Sequence, residues 1–219
     1  MQATNRRAFC FGIRSEQDAS PGLCESTAFA NQLQPAGRRH VRSPEACAIA
    51  RGCATLRRVN FREKIISRET LPAWRAAIRA SGRKLVVTNG CFDLLHSGHV
   101  IYLEAARQLG DALLIGVNGD DSVRQLKGDG RPVNSEADRA IVLAALASVD
   151  GICIFAEKTA TRFLAAAQPD IYAKGGDYTL ATVNQEERRA VELAGGRIEF
   201  IPFVPGKSTT ALLEKIARL

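Results

Sequence analysis

KLVVTNGCFDLLHSGH, residues 84–99, decides how the chain folds. It opens on an unbroken apolar run, Leu85–Val86–Val87, without the alternation of a half-exposed strand; such runs suit strands buried on both faces of a parallel sheet. The run ends in Thr88–Asn89–Gly90, residues suited to a strand turning into a loop, and a helical stretch begins at His96. Strand, glycine-bearing loop and helix form the repeating unit of doubly wound α/β sheets. In those sheets ligands gather beyond the carboxyl ends of the strands, which is where this loop lies.

The loop also carries the chemistry. Asn89 and Gly90 sit at the strand end, and Gly90 lacks the side chain that would keep a phosphate from backbone N–H groups. His96 and His99 are three apart, so on a helix they share a face. In the first turn, unpaired amides and the positive end of the helix dipole favour an anion. Gly98 between them leaves room for a ligand to approach. The residues alone leave two alternatives open: satisfied histidines on a helix, or a zinc site with Cys91, for which no fourth ligand cluster stands nearby. A dinucleotide fold would need GxGxxG in this turn, and it is absent.

Outward from this stretch, apolar runs alternate with helical ones. Strands are expected at 84–88, 112–117, 151–155, 170–174 and 197–202. Helices are expected up to Ala80 after Ser67–Arg68–Glu69–Thr70, and at 96–108, 121–126, 135–147, 159–167, 183–194 and 208–218. The implied fold is α/β, a doubly wound five-stranded parallel sheet with a Rossmann-like arrangement. Lysines stand near two strand ends: Lys127 in the segment after the second strand, and Lys174 at the end of the fourth, followed by Gly175, Gly176 and Asp177. Each suits a phosphate or nucleotide rim, and each also suits a solvated surface. Pro205–Gly206–Lys207–Ser208–Thr209 looks like the tail of a P-loop, but Ile201 stands where that motif needs glycine. The segment still brings Lys207, Ser208 and Thr209 to a helix N-terminus, where Ser208 can also serve as a simple cap.

Composition sets the bounds. Residues 1–60 hold nine Arg, no Lys and four acids, whereas residues 61–219 are nearly balanced in charge. That balance gives no nucleic-acid footprint, and no apolar run is long enough for a membrane helix. Residues 1–60 lack periodicity and read as a disordered or non-native-like extension ahead of a domain over 61–219. Cys10, Cys24, Cys47, Cys53, Cys91 and Cys153 have no CxxC spacing, which suits reduced thiols in a cytoplasmic protein.

TNGCFDLLHSGHVIYLEAARQLGD (88–111) resembles the opening of the cytidylyltransferase-like nucleotidyltransferases, whose signature is HxGH. With VNGDDSVRQLKGDGRPVNSEADRAIVLAALASVD (117–150), KGGDYT (174–179) and GKSTTALLEKI (206–216), residues 66–219 resemble the D-glycero-β-D-manno-heptose 1-phosphate adenylyltransferases. These exist alone or as the C-terminal half of a bifunctional kinase/adenylyltransferase, and the stand-alone form is expected here. The resemblance implies transfer of AMP from ATP to a heptose 1-phosphate, giving ADP-heptose for lipopolysaccharide core synthesis. It implies phosphate contacts from His96, His99 and Lys127 as catalytic groups, with Mg²⁺ carried by ATP and no metal held by the protein. Asn89, Gly90, Cys91, Phe92, Asp93, Asp120, Lys174, Gly175, Gly176, Asp177, Lys207, Ser208 and Thr209 are the expected nucleotide and phosphate contacts. The expected partners are ATP and a sugar 1-phosphate, in a homodimer, with neither nucleic acid nor membrane. Phe203 departs from the related glycerol-phosphate cytidylyltransferases, which carry Arg there; KGGDY in place of their MGDDW favours the heptose group. The alternatives are a cytidylyltransferase for glycerol or ethanolamine phosphate, and a non-catalytic nucleotide-binding module.

Overall fold

A computed structural model describes residues 60–176, 178–202 and 205–219. The expectation for residues 1–60 lies outside these, apart from Asn60, whose side chain caps a 3₁₀ turn over Phe61–Lys64. Of the cysteines, Cys91 and Cys153 are described, and both are free thiols.

Five parallel strands form one sheet: β1 (Leu85–Gly90), β2 (Ala112–Asn118), β3 (Gly151–Phe155), β4 (Ile171–Gly175) and β5 (Arg197–Ile201), in the order β3-β2-β1-β4-β5. Among the described residues seven α-helices accompany them: α1 (Leu71–Ala80), α2 (Ser97–Arg107), α3 (Asp120–Lys127), α4 (Glu136–Ala144), α5 (Thr161–Ala167), α6 (Gln185–Leu193) and α7 (Thr209–Ile216). The doubly wound parallel sheet expected from the apolar runs is the fold observed. β1 pairs with β2 from Leu85↔Ala112 to Gly90↔Val117, and with β4 at Val86↔Ile171 and Val87↔Tyr172.

Burial explains why the apolar runs do not alternate. Every residue of β2 is buried, and so are Leu85–Thr88 of β1. Leu85, Val87 and Leu114 enter a core with α1, α5 and α6, which contribute Leu71, Phe163 and Val191. Val86, Leu113 and Ile115 enter a second core with α2 and α4, through Leu103 and Leu143. Each fully buried aliphatic side chain adds about 1.5–3 kcal/mol, so both faces of the central strands stabilise the sheet.

Helix boundaries follow capping chemistry. Ser135, Asn184 and Ser208 accept backbone N–H groups at the starts of α4, α6 and α7. α3 begins at Asp120, one residue earlier than expected, because Glu136 Oε2 accepts the Asp120 N–H at 2.9 Å. α2 begins at Ser97. His96, expected inside the helix, is its extended N-cap (φ −141°, ψ 169°) and makes no side-chain cap bond.

The strand order places a topological switch between β1 and β4. The chain builds outward from β1 to β3 on one side, then crosses to start β4 on the other. The crevice at their carboxyl ends is the expected ligand position in such sheets.

Candidate functional site

The β1–α2 loop and the ends of β1 and β4 converge at this switch. His96 and His99 stack with ring centroids 4.0 Å apart and planes 28° from parallel. The N-cap position of His96 thus leaves the shared face intact. Phe92 meets the His99 ring edge-on at 5.5 Å, from a left-handed backbone conformation with φ +47°. Gly98 is needed for close approach: a Cβ there would lie 2.9 Å from Lys207 Cβ and 3.0 Å from the His96 ring. The start of α7 is thereby brought against the start of α2, and Thr209 Oγ1 reaches the Leu94 carbonyl at 3.5 Å. Ser208 caps Ala211 N–H at 3.1 Å.

Two features suit this corner to an anion. No side chain caps α2, so its leading amides lack a side-chain acceptor. The Nδ1 atoms of His96 and His99 are both buried without a protein partner, an arrangement native proteins rarely leave unexplained. Burial, then the neighbouring His96, pushes the His99 imidazole down to about 4. Burial and the Lys207 charge lower His96 as well. Near neutral pH the corner is therefore a pair of uncharged imidazoles beside one ammonium. Lys207 and Lys127 are both exposed and enter none of the ion pairs among the described residues.

The remaining expected residues fall into two further groups. Asp93 is buried and faces loop 131–134 rather than open space. Its Oδ1 accepts Val133 N–H at 2.8 Å and Asn134 N–H at 3.0 Å, and its Oδ2 lies 2.7 Å from Arg131 Nε. Asp120 pairs with Arg139, whose guanidinium also donates to the carbonyls of Cys91 and Asn134. Arg139 thus joins the Cys91 loop, the start of α3 and loop 131–134. Lys127 ends α3 close enough for its charge to act on the Cys91 thiol, although burial dominates and raises that thiol.

The second group surrounds the end of β4. Lys174 Nζ lies 3.3 Å from Glu187 Oε2 and donates to Asn89 Oδ1 at 3.1 Å. It stands 5.1 Å from the Tyr172 ring centre and 5.7 Å from that of Tyr178. Lys174 is therefore a partnered cation, unlike Lys127 and Lys207. Gly175 lets Tyr102 pack against the strand end, since a Cβ there would lie 2.9 Å from that ring. Gly90 ends β1 and Gly176 follows β4, while Asp177 and Phe203 lie outside the described residues.

Sequence reading missed Arg139, Glu187, Tyr102 and Tyr172. Two of them carried a signal. Arg139 shares the buried face of α4 with Ala140 and Leu143, and Glu187 stands between Val183 and Val191 at helical spacing. A charged residue on an apolar stripe requires a partner, because burying it alone is costly.

Other concavities lie elsewhere. A groove of about 440 Å³ between α5 and α6 and one of about 220 Å³ between α1 and α5 share no residue with the crevice. Among the described residues no three His, Cys, Asp or Glu side chains gather as metal ligands, and no helix is long and apolar enough to cross a membrane.

Comparison with known proteins identifies the family. The cytidylyltransferase-like family model matches residues 87–215. The bifunctional protein HldE of Trichlorobacter lovleyi is 53% identical over 153 residues, which cover 70% of this chain and 31% of that protein. HldE of Koribacter versatilis is 47% identical over 152 residues, 69% of this chain and 31% of that protein. The chain spans about a third of the length of these curated relatives. A solved lipopolysaccharide core biosynthesis protein from Thermoplasma volcanium aligns with a TM-score of 0.47 and 26% identity, over 56% of this chain and 98% of that one.

Proposed function

The chain belongs to the cytidylyltransferase-like family of nucleotidyltransferases, and on that premise we propose that it transfers AMP from ATP to a heptose 1-phosphate, releasing pyrophosphate and ADP-heptose for lipopolysaccharide core synthesis. The observation that carries the chemistry is the stacked His96–His99 pair with its unpartnered Nδ1 atoms at the start of α2. Similarity to HldE proteins over the matched region supports the choice of acceptor.

In this reading an oxygen of the sugar phosphate attacks the α-phosphorus of ATP. The bond from that phosphorus to the β-bridging oxygen breaks, and pyrophosphate takes the electron pair. His96 and His99 donate to phosphate oxygens as charge builds there, while Lys207 and Lys127 neutralise the triphosphate and the incoming phosphate. Catalysis is positioning plus electrostatic stabilisation, without a covalent enzyme intermediate. Asp93 and Asp120 serve by holding loop 131–134 and Arg139, which fix the phosphate loop.

Mg²⁺ fits this site as a passenger on the nucleotide. The nearby carboxylates of Asp93 and Asp120 are engaged by N–H groups and arginines, leaving no all-protein cage, and Mg²⁺ commonly binds through substrate phosphates. When bound it would neutralise phosphate charge. We take the assembly to be a homodimer, with Val100 and Ile101, 42% and 49% exposed beside the histidines, as apolar surface for a second copy to cover.

The test is pyrophosphate release from ATP or CTP with heptose 1-phosphate or glycerol 3-phosphate. ATP with heptose 1-phosphate is expected to be the fastest pair; faster turnover with CTP and glycerol 3-phosphate would overturn the reading.

A further inference from the structure

Successive residues of β1, Thr88 and Asn89, point to opposite faces of the sheet, and each is met by a tyrosine hydroxyl. On the α2 face Tyr102 Oη lies 2.7 Å from Thr88 Oγ1 and donates to the Ala173 carbonyl at 3.0 Å. On the other face Tyr172 Oη lies 2.6 Å from Asn89 Oδ1 and 2.8 Å from Glu187 Oε2. Glu187 is 5% exposed, and its other oxygen accepts Ala160 N–H at 2.9 Å.

Lys174 determines which end of the Asn89 amide faces inward. An ammonium has donors only, and it sits 3.1 Å from the inner atom of the amide. That atom must be the oxygen, since an inward NH₂ would set donor against donor. The amide NH₂ is then turned away from tyrosine and lysine, and it has no partner among the described residues, at a half-buried position one residue before Gly90.

We propose that Tyr172 and Glu187 are positioning residues that lock Asn89 with its NH₂ presented to the nucleotide as a fixed donor. The proposal rests on the reading of the β1–β4 crevice as the nucleotide site. The Tyr172 hydroxyl divides its one hydrogen between Glu187 Oε2 and Asn89 Oδ1, while the Lys174 ammonium donates to Asn89 Oδ1 and is held beside it by Glu187. Ammonium and hydroxyl together hold the amide oxygen, and the ordering of the donor is completed before the ligand arrives. The donor suits an acceptor atom of the nucleotide, a phosphate or ribose oxygen.

A double-mutant cycle tests the coupling. ATP binding to the full chain is measured by calorimetry for wild type, Y172F, N89A and Y172F/N89A, with melting temperatures alongside. Loss of one hydrogen bond's worth of ordering is expected to raise Kd about fivefold in Y172F. The same substitution is expected to change Kd less than about twofold in the N89A background. A Y172F effect of equal size in both backgrounds overturns the proposal, and so does a lowered melting temperature with unchanged Kd. Should Y172F fail to fold, E187Q, which keeps an acceptor for Ala160 N–H, runs the same cycle against N89A. Wild type that binds CTP and not ATP would reject the adenylyl reading, and the cycle repeated with CTP would still decide the role of Tyr172.

Discussion

The two ends of the crevice are built on opposite principles. Around α2 the polar groups are left unsatisfied: two buried Nδ1 atoms, an uncapped helix start and two lysines outside any described ion pair. Around β4 nearly everything is satisfied: Lys174, Glu187, Tyr172 and the oxygen of Asn89 form a closed set. Unsatisfied buried groups cost stability and persist where a ligand completes them; satisfied networks fix geometry. The α2 end is thus suited to stabilising charge, and the β4 end to holding orientation.

The largest break in this contrast comes from the α2 end. Removing one donor aimed at developing charge costs about 10²–10³ in rate, so His96→Ala or His99→Ala is expected to lower kcat by about that factor while ATP binding changes little. The double variant is expected to lose less than the product, because both rings serve one phosphate group. Steady-state kinetics decide it: turnover within about threefold of wild type in both single variants would remove the histidines from the chemistry.

Arg139→Met probes the satisfied part of the scaffold. It strips three acceptors of a buried guanidinium, and breaking such a buried pair costs about 3–5 kcal/mol. A fall in melting temperature of about 10 °C is expected, and an unchanged melting curve would contradict the ties drawn from Arg139 to the Cys91 loop.

Gly98→Ala sharpens the contrast without removing a polar group. Its Cβ would press on Lys207 and the His96 ring, so kcat/KM is expected to fall about tenfold through misplacement alone. The melting temperature should stay within a few degrees, and equal kinetics would show that the α2–α7 approach is not needed.

The smallest effect concerns pH. His99 titrates near 4 in the folded chain and at its ordinary 6.5 once unfolded. Below 6.5 the unfolded state binds more protons, so stability is full above that pH and is lost as pH falls toward 4. His99→Asn should flatten the melting temperature between pH 6.5 and 4.5 relative to wild type. Parallel curves for the two proteins would mean that the imidazole is not held neutral.

The legible part of the site was the part that sequence periodicity reaches. HSGH, Gly90 and the GKST segment announce themselves because loops at strand ends carry few residues with a packing reason to be polar. Arg139 and Glu187 were missed, although each interrupts an apolar stripe, because a helical stripe says that a charge is buried and not what meets it. Lys174 shows the same limit from the other side. Its place at a strand end marked it as an available cation, whereas Glu187, thirteen residues onward in α6, neutralises it.

By itself the sequence determined the strands and helices of the domain and their succession along the chain, the doubly wound class and the motif at the end of β1, since all of these depend on local spacing and burial on two faces. Only the tertiary structure decided which polar groups are already partnered. The strand order brings β1 beside β4, which lets Tyr172 and Lys174 reach Asn89, and the approach of α7 to Gly98 sets Lys207 beside His96. Hydrogen bonds and ion pairs act over a few ångströms in space, and separations of more than eighty residues along the chain carry no trace of that proximity.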